Sequence, residues 1–549
     1  MDFKDLANLI FPDAKPISYY EEKYPARNIA EDAMVVRFAP SPTGYVHIGG
    51  LYQSIVCTTL AKQTNGVSIL RIEDTDQKRL IENGINQIVY AIKDFGIEFD
   101  EGMINETEEK GTYGPYKQSE RKDIYKAYVK FLIENGRAYP CFATTEELEE
   151  MRKKQEDAKI RPGYYGIWAK YRTLPVDDAI KKINEGIPYI IRFKSMGNEE
   201  KKIRHRDMIK GNIEFPENDQ DIVIIKADGL PTYHFAHAVD DHLMRVTHVV
   251  RADEWLSSLP IHLELFKALG FQTPKYAHTA SIMKDDNGKK RKISKRKDPE
   301  AAVSFYHEEG IPNEAVCQYL LNIANSNFEV WKKSNPDKNI SDFKFELNKM
   351  SVSGAIFDMV KLLDISKNVI STYSKEEIYN TVLNWAKRYD SKLEQILSDK
   401  DYSLKVFGIE RGNTKPRKDI AKWSDVKNAI SYMYDDIFSK ADIIFDDCKI
   451  NDISKIKEII KLYISDYFNI SDDKQTWFDK IKDLAEKTGY AREVKMYKNE
   501  PEKWPGHVGD VSTILRVALT GRQNTPDLYE IIQVLGKESV INRFNKILN

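Results

Sequence analysis

The chain has 549 residues and a mass of 63.5 kDa, with 41% apolar and 31% charged side chains. This length exceeds what one hydrophobic core organises, so we expect several folded domains. The 83 basic and 85 acidic residues nearly cancel. Whole-chain charge therefore does not indicate a nucleic-acid partner, and any polyanion must be met by a local patch.

The cysteine pattern and the apolar runs indicate the cellular compartment of the protein. The four cysteines (57, 141, 317 and 448) lie far apart and form no C-x-x-C pair, which argues against a zinc cluster or a disulfide framework. The first residues lack the basic and apolar segments of a signal peptide, and no window reaches the roughly 18 apolar residues of a membrane helix. We predict a cytoplasmic protein without a membrane partner.

The first clear element pattern lies between residues 34 and 72. The apolar run 34–38 predicts a strand, and the Pro-Ser-Pro-Thr-Gly segment 40–44 predicts a turn after it. Residues 49–63 read as a helix, and 67–72 as a second buried strand. Strand, helix and strand in this order imply a right-handed crossover and a parallel sheet, with ligands at the carboxyl ends of the strands.

The sheet pattern is then interrupted and resumes. A helix is predicted at 123–132, and short strands and turns fill 138–235, which we interpret as an insertion. A strand at 246–251, an amphipathic helix at 256–269 and a strand at 276–281 continue the sheet. Beyond residue 298 the periodicity is helical to the C-terminus, with a polar, linker-like stretch at 334–341.

Two segments carry residue types suited to phosphate chemistry. In the loop 37–50, His47 can donate a hydrogen bond to phosphate, and Gly49 and Gly50 let a nucleotide approach the backbone at a helix N-terminus. The run Lys289–Lys297 is a cationic loop preceded by the turn 285–288. Alone, such a histidine is often structural and such a run is often a solvated face or a general polyanion patch.

Together, these two segments resemble the two signatures of class I aminoacyl-tRNA synthetases. The residue sequence of 37–50 is similar to the first signature of the bacterial glutamyl branch. The segment Lys292-Ile293-Ser294-Lys295-Arg296 resembles the second signature. Segments 114–121 and 515–522 are also similar to that family, so the resemblance covers most of the chain. It is weakest in the central helices, and residues 1–33 exceed the usual family start.

The resemblance implies three groups of site residues. The implied catalytic residues are His47, Lys292 and Lys295. The implied ATP-binding residues are His47, Gly49, Gly50, Glu254, Met283, Lys292, Ile293, Ser294 and Lys295. The implied glutamate-binding residues are Arg37, Ala39, Ser41, Glu73, Tyr233, His237, Arg251 and Trp255, with Arg251 as the partner of the side-chain carboxylate.

The metal expectations differ between magnesium and zinc. Magnesium is expected to arrive with the ATP phosphates rather than in a protein site. Some family members carry a zinc cluster in the inserted domain, where this chain keeps only Cys141, so no zinc is predicted. His237 stands where some relatives carry asparagine, which leaves its contact with the substrate open.

The implied fold is α/β: a class I Rossmann-like parallel-sheet catalytic domain with an α+β insertion, followed by an all-α anticodon-binding region. The expected segments are an N-terminal extension (1–33), a split catalytic domain (34–122 and 235–297), an acceptor-end-binding insertion (123–234), a helical stem-contact domain (298–374) and a helical anticodon-binding region (375–549).

The implied activity is ATP-dependent formation of glutamyl-adenylate and transfer of glutamate to the 3'-terminal ribose of tRNA, by a monomer. The tRNA is expected to be tRNA-Glu, with tRNA-Gln as an open second substrate. The alternatives are glutaminyl-tRNA synthetase, whose C-terminal region is built of β-barrels, and a tRNA-binding paralogue that has lost catalysis. A shorter relative that modifies a tRNA base, and a small-molecule nucleotidyltransferase, would not need the helical third.

Overall fold

The computed structural model describes residues 2–413 and 416–549. The chain forms two compact units, one of Met1–Phe305 with Val316–Asp358 and one of Tyr306–Ala315 with Met359–Asn549. Within the described residues, none of the helices combines the length and apolar character that crossing a membrane requires.

The first unit contains all the strands of the described chain and a set of helices around them. The strands are β1 (Val35–Phe38), β2 (Val67–Leu70), β3 (Glu101–Met103), β4 (Glu109–Lys110), β5 (Ala138–Cys141), β6 (Ile190–Phe193), β7 (Lys202–Asp207), β8 (Gly211–Pro216), β9 (Val223–Ile225), β10 (His248–Ala252), β11 (Lys275–Thr279), β12 (Met283–Asp286) and β13 (Lys289–Lys292). The helices are α1 (Phe3–Ile10), α2 (Ile17–Lys23), α3 (Ile48–Gln63), α4 (Gly84–Asp94), α5 (Lys122–Glu134), α6 (Thr145–Asp157), α7 (Val176–Asn184), α8 (Tyr233–Leu243), α9 (Leu259–Leu269), α10 (Val303–Glu309), α11 (Asn313–Ala324) and α12 (Phe328–Ser334), of which α10 and α11 have residues in both units.

The central sheet has six strands in the order β11-β10-β1-β2-β3-β4. All neighbours are parallel except β3 and β4. Its middle strands are apolar and buried, as expected for a sheet covered on both faces. The predicted crossover is present as β1, α3 and β2, and the predicted α/β fold class is confirmed.

The chain leaves this sheet between α5 and α8 and forms the predicted α+β insertion. Strands β5, β6 and β9 make a separate antiparallel sheet, and β7 pairs with β8 as a hairpin. Cys141 is buried there, with its sulfur 3.4 Å from the Tyr164 hydroxyl. Strand β7 of this hairpin ends at Asp207, which is also buried and accepts a hydrogen bond from the His278 N–H of β11 in the central sheet.

The N-terminal helices α1 and α2 pack against the rest of the first unit. Leu6 of α1 and Tyr20 of α2 are buried. Glu21 accepts hydrogen bonds from Tyr128 and His242 and forms an ion pair with Arg245 at 2.9 Å. The segment 2–33 is therefore fastened to α5 and to the C-terminal end of α8.

The second unit is helical and contains two apolar cores. One core centres on α14, α16 and α17, and the other on α19, α20 and α22. Its helices are α13 (Met359–Thr372), α14 (Lys375–Tyr389), α15 (Ser391–Ile396), α16 (Lys400–Gly408), α17 (Trp423–Ile430), α18 (Asp435–Phe438), α19 (Ile453–Leu462), α20 (Lys474–Lys487), α21 (Val494–Asn499), α22 (Val508–Thr520) and α23 (Leu528–Leu548).

Candidate active site

A cleft of about 400 Å³ opens at the carboxyl ends of β1, β2, β10 and β11, where a parallel sheet of this kind binds ligands. Its walls come from loops that are distant in sequence. The lining residues include Arg37, Ala39, Ser41, His47, Gly49, Gly50, Glu73, Tyr233, Arg251, Glu254, Trp255, Lys292 and Ile293.

His47 lies at the boundary between the first signature loop and α3. It is the N-cap of α3, and its Nδ1 accepts a hydrogen bond of 2.9 Å from the Gly49 N–H. Burial, together with Lys295 and Lys292, lowers the pKa of His47 to about 4. The imidazole is therefore neutral near pH 7, and because Nδ1 accepts, the proton must lie on Nε2 as a hydrogen-bond donor.

The second signature follows the hairpin formed by β12 and β13. Ile293 is buried and fixes the segment to the body of the unit. Asp298 accepts two hydrogen bonds of 2.7 Å from Arg291 and one of 2.9 Å from the Ser294 N–H. The Arg291 hydrogen bonds hold the pKa of Asp298 well below its usual range. This carboxylate thus closes the signature segment into a loop.

The signature lysines are bonded to groups of the protein itself. Lys292 pairs with Glu254, and both side chains are about half exposed. The Lys295 ammonium donates to the Tyr45 carbonyl of the first signature loop. Both cations therefore border the entrance of the cleft, where phosphate oxygens could replace their present partners.

The inner end of the cleft contains a buried charge network. Arg37 pairs with Asp241 at 3.0 Å, and Arg71 pairs with Asp241 at 2.5 Å and with Glu73 at 3.2 Å. Although burial alone would raise it, Arg37 and Arg71 hold the pKa of Asp241 well below its ordinary value. Burial raises the pKa of Glu73 to about 7, against the opposing effect of Arg71. Glu73 is thus a buried acid that lines the cleft beside arginines.

Arg251 forms the other polar surface of the inner end. Its Nε donates to His278 Nε2 and one terminal nitrogen contacts His262 Nδ1, both at 3.0 Å. The other terminal nitrogen donates to the Trp255 carbonyl at 3.3 Å. The Tyr233 and Trp255 rings, 4.1 Å apart between centroids, form an adjoining aromatic wall.

Most residues implied by the resemblance share this one cleft, but four do not line it. Lys295, Ser294 and Met283 belong to the second signature region outside the lining. His237 lies in the buried layer beneath Tyr233, with Nδ1 2.8 Å from Asp241 and Nε2 3.0 Å from the Tyr276 hydroxyl. It reaches the site through Asp241 and does not face the cleft.

Sequence reasoning missed several residues that organise the site. Asp298 orients the second signature, and His262, His278 and Asp207 orient Arg251. Asp298 directly follows the cationic run, so its negative charge could have indicated from the sequence that it pairs with this segment. The other three come from a hairpin, a helix and a strand that no local pattern relates.

Sequence comparison assigns the family. The protein-family model described as "tRNA synthetases class I (E and Q), catalytic domain" matches residues 33–364, more than half of the chain. A second family model, described as "Anticodon binding domain", matches residues 505–548. The chain belongs to the class I aminoacyl-tRNA synthetases of the glutamate and glutamine (E and Q) division.

Individual relatives narrow this assignment. The chain is 53% identical to the glutamate–tRNA ligase of Clostridium perfringens strain SM101 and 49% identical to that of Acetivibrio thermocellus, over the whole of both chains in each case. A glutamate tRNA ligase crystal structure from Elizabethkingia meningosepticum, in complex with its amino acid, is similar with a TM-score of 0.75 and 28% identity, over 94% of this chain and 99% of that one. The resemblance to the bacterial glutamyl branch is therefore confirmed.

Proposed function

We propose that the protein attaches glutamate to tRNA in two steps that consume ATP. In the first step, a glutamate α-carboxylate oxygen attacks the α-phosphorus of ATP, and the bond to pyrophosphate breaks. In the second, a hydroxyl of the 3'-terminal ribose of tRNA attacks the acyl carbon, and AMP leaves. The observation that carries this proposal is one cleft lined by His47 and Lys292 at its entrance and by the buried Arg37 and Arg251 at its inner end.

The entrance groups would stabilise the charge that develops during adenylation. His47 Nε2–H would donate to a phosphate oxygen, and its neutrality would let it act as a donor without titrating near pH 7. Lys292 and Lys295 would exchange Glu254 and the Tyr45 carbonyl for the oxygens of the leaving pyrophosphate. Mg²⁺ carried by ATP would neutralise part of the same charge.

The inner end would bind the amino acid. Arg251 is the counter-ion for the side-chain carboxylate, while Glu73 and the Arg37 region face the ammonium and α-carboxylate. Ala39 and Ser41 line the space between, and Tyr233 and Trp255 exclude water from it. This arrangement favours an anionic side chain over the neutral amide of glutamine, which disfavours a glutaminyl enzyme.

The remaining regions would bind the tRNA. The insertion 123–234 is proposed to receive the acceptor end, 298–374 the stem, and the helical region 375–549 the anticodon; the match at 505–548 supports the last of these. The proposed enzyme acts as a cytoplasmic monomer.

The test is aminoacylation by the purified protein with ATP, Mg²⁺ and labelled glutamate or glutamine, against separate tRNA-Glu and tRNA-Gln. Glutamate on tRNA-Glu is the expected product. Glutamate on both tRNAs would define a non-discriminating enzyme. Glutamine charging would overturn the proposed substrate, and no charging in any combination would favour a silent tRNA-binding protein.

A further inference from the structure

Arg251 differs from the other buried arginines around the cleft in how it is held. Arg37, Arg71 and Arg121 each pair with Asp240 or Asp241 at 3.0 Å or less. Over residues 2–413 and 416–549, no carboxylate oxygen lies within 4.0 Å of the Arg251 guanidinium. Its acceptors are His278, His262, the Tyr233 hydroxyl at 3.5 Å and a backbone carbonyl, all of them uncharged groups. Arg251 is 5% exposed, so its guanidinium is largely shielded from bulk water.

Hydrogen bonding fixes the tautomer of His278, the first of the two imidazoles that accept from Arg251. Asp207 Oδ2 lies 2.7 Å from His278 Nδ1, so Nδ1 carries the proton and Nε2 is free to accept from Arg251. Asp207 is itself satisfied by the N–H groups of His278, Ile209 and Lys210. Its negative charge is therefore separated from the guanidinium by a whole imidazole ring.

Hydrogen bonding also fixes the tautomer of His262, the second imidazole, which belongs to helix α9. His262 Nδ1 lies 3.0 Å from the Arg251 guanidinium and must accept, because arginine offers only donors. The proton of His262 then lies on Nε2, 2.9 Å from His234 Nδ1. Burial lowers the pKa of both His262 and His278, and neither ring is exposed to solvent. Two uncharged rings thus orient one uncompensated cation.

We propose that His262 and His278 are specificity-determining positioning residues, which hold Arg251 through neutral acceptors and leave its charge free for an anionic amino-acid side chain. This inference rests on the proposed function. A carboxylate in either position would already neutralise Arg251, so a substrate carboxylate would gain little there. With neutral acceptors, a substrate carboxylate provides the close counter-charge that Arg251 lacks among the described residues, and an amide cannot provide it.

The test compares two pairs of variants that differ within each pair only by a charge. His262→Asn places an amide oxygen near the Nδ1 position, and His262→Asp places a carboxylate there. His278→Gln and His278→Glu do the same near the Nε2 position. Thermal unfolding first selects the folded variants, and kcat and KM for glutamate, KM for ATP and inhibition by glutamine are then measured in the aminoacylation assay.

We expect each acidic variant to raise the glutamate KM about tenfold over its amide partner, with the ATP KM unchanged. The preference for glutamate over glutamine should fall by a similar factor. The amide variants should keep the glutamate KM within about threefold of wild type, because their amide oxygen replaces the ring nitrogen as a neutral acceptor for Arg251.

Two outcomes would overturn the inference. Acidic and amide partners with the same glutamate KM would show that the charge at these positions is irrelevant. An amide variant with a tenfold higher KM would show that a neutral acceptor is not sufficient, and this result can be read even if both acidic variants fail to fold. Wild-type protein that charges no glutamate would instead reject the proposed function, independently of any variant.

Discussion

The two ring nitrogens of His47 should have separable roles, which two substitutions can test. Nδ1 caps α3 by accepting from Gly49 at 2.9 Å, and Nε2 is the proposed donor to phosphate. His47→Asn keeps an oxygen near the Nδ1 position and removes the outer donor. His47→Gln offers an amide N–H near the Nε2 position and removes the cap.

For His47→Asn we expect kcat for adenylation to fall by about 10²–10³, the usual effect of removing one donor to transition-state charge, which is roughly 3–4 kcal/mol. Its unfolding free energy should stay within about 0.5 kcal/mol of wild type, because asparagine is a favoured N-cap. For His47→Gln we expect the smaller loss of kcat, and a loss of about 1 kcal/mol in stability from the missing cap. Amino-acid-dependent pyrophosphate exchange with tRNA present measures the first quantity, and chemical denaturation the second.

The pH dependence provides an internal check on this reasoning. Because the pKa of His47 is lowered to about 4, the imidazole should stay neutral from pH 6 to pH 8. The ratio of wild-type to His47→Asn kcat should therefore be constant over that range. A His47→Asn variant with undiminished kcat, or a ratio that follows a titration near pH 6.5, would refute the assigned donor role.

Three further predictions concern the second signature and the buried layer. Asp298→Asn should raise the ATP KM several-fold and leave the glutamate KM unchanged, because the loop loses its bidentate Arg291 contact. Lys295→Ala should lower adenylation by about 10²–10³ while tRNA affinity, measured by filter binding, stays within about twofold. His237 has its pKa lowered from 6.5 to about 3 by burial, so its contribution to stability is complete above pH 6.5 and is lost as the pH falls toward 3. In His237→Asn, the unfolding free energy should therefore fall less steeply between pH 6 and pH 4, by up to about 1.4 kcal/mol per pH unit.

The first two of these predictions have a matched control in the chain. Asp286 contacts the same Arg291 at 2.8 Å but is about half exposed, so Asp286→Asn should leave the ATP KM near wild type. Lys297→Ala removes an exposed charge from the same run as Lys295. Equal effects of Asp298→Asn and Asp286→Asn, equal effects of the two lysine variants, or unchanged acid sensitivity in His237→Asn would contradict the respective argument. The raised pKa of Glu73 has the opposite effect, because it increases the unfolding free energy as the pH falls. This contribution is common to wild type and variant and cancels in their difference.

Some elements could be predicted because local physics decides them. The run 34–38 is continuously apolar and is ended by prolines, so the strand was evident, and β1 occupies residues 35–38 of it. The turn 285–288 was equally clear, and Asn287 and Gly288 do adopt positive φ angles of 55° and 81°. In both cases one short window contains all the determining residues.

Other features depend on contacts that no window contains. Strands β12 and β13 are rich in charged residues and lack apolar alternation. The sequence therefore predicts only a turn and a cationic loop here, and not the pairing of Met283 with Lys292. His237 was assigned to the substrate by resemblance, but the backbone of α8 turns it toward Asp241 in the buried layer. The orientation of Arg251 joins Asp207 and His278, 71 residues apart in the chain. Only the folded sheet brings these groups together.

The split sheet also determines when this protein can begin to fold during its synthesis. Central strand β1 bonds on one side to the segment around Thr247, 212 residues further along the chain. Until the ribosome has delivered β10 and β11, one edge of β1 has no partner, and an apolar strand with a free edge is prone to aggregation. Translation at about 5–20 residues per second leaves this edge open for roughly 10–40 seconds. The insertion, whose strands pair with one another over shorter distances, can fold during that interval, so nascent chains of the first unit are expected to depend on chaperones more than chains of the helical unit.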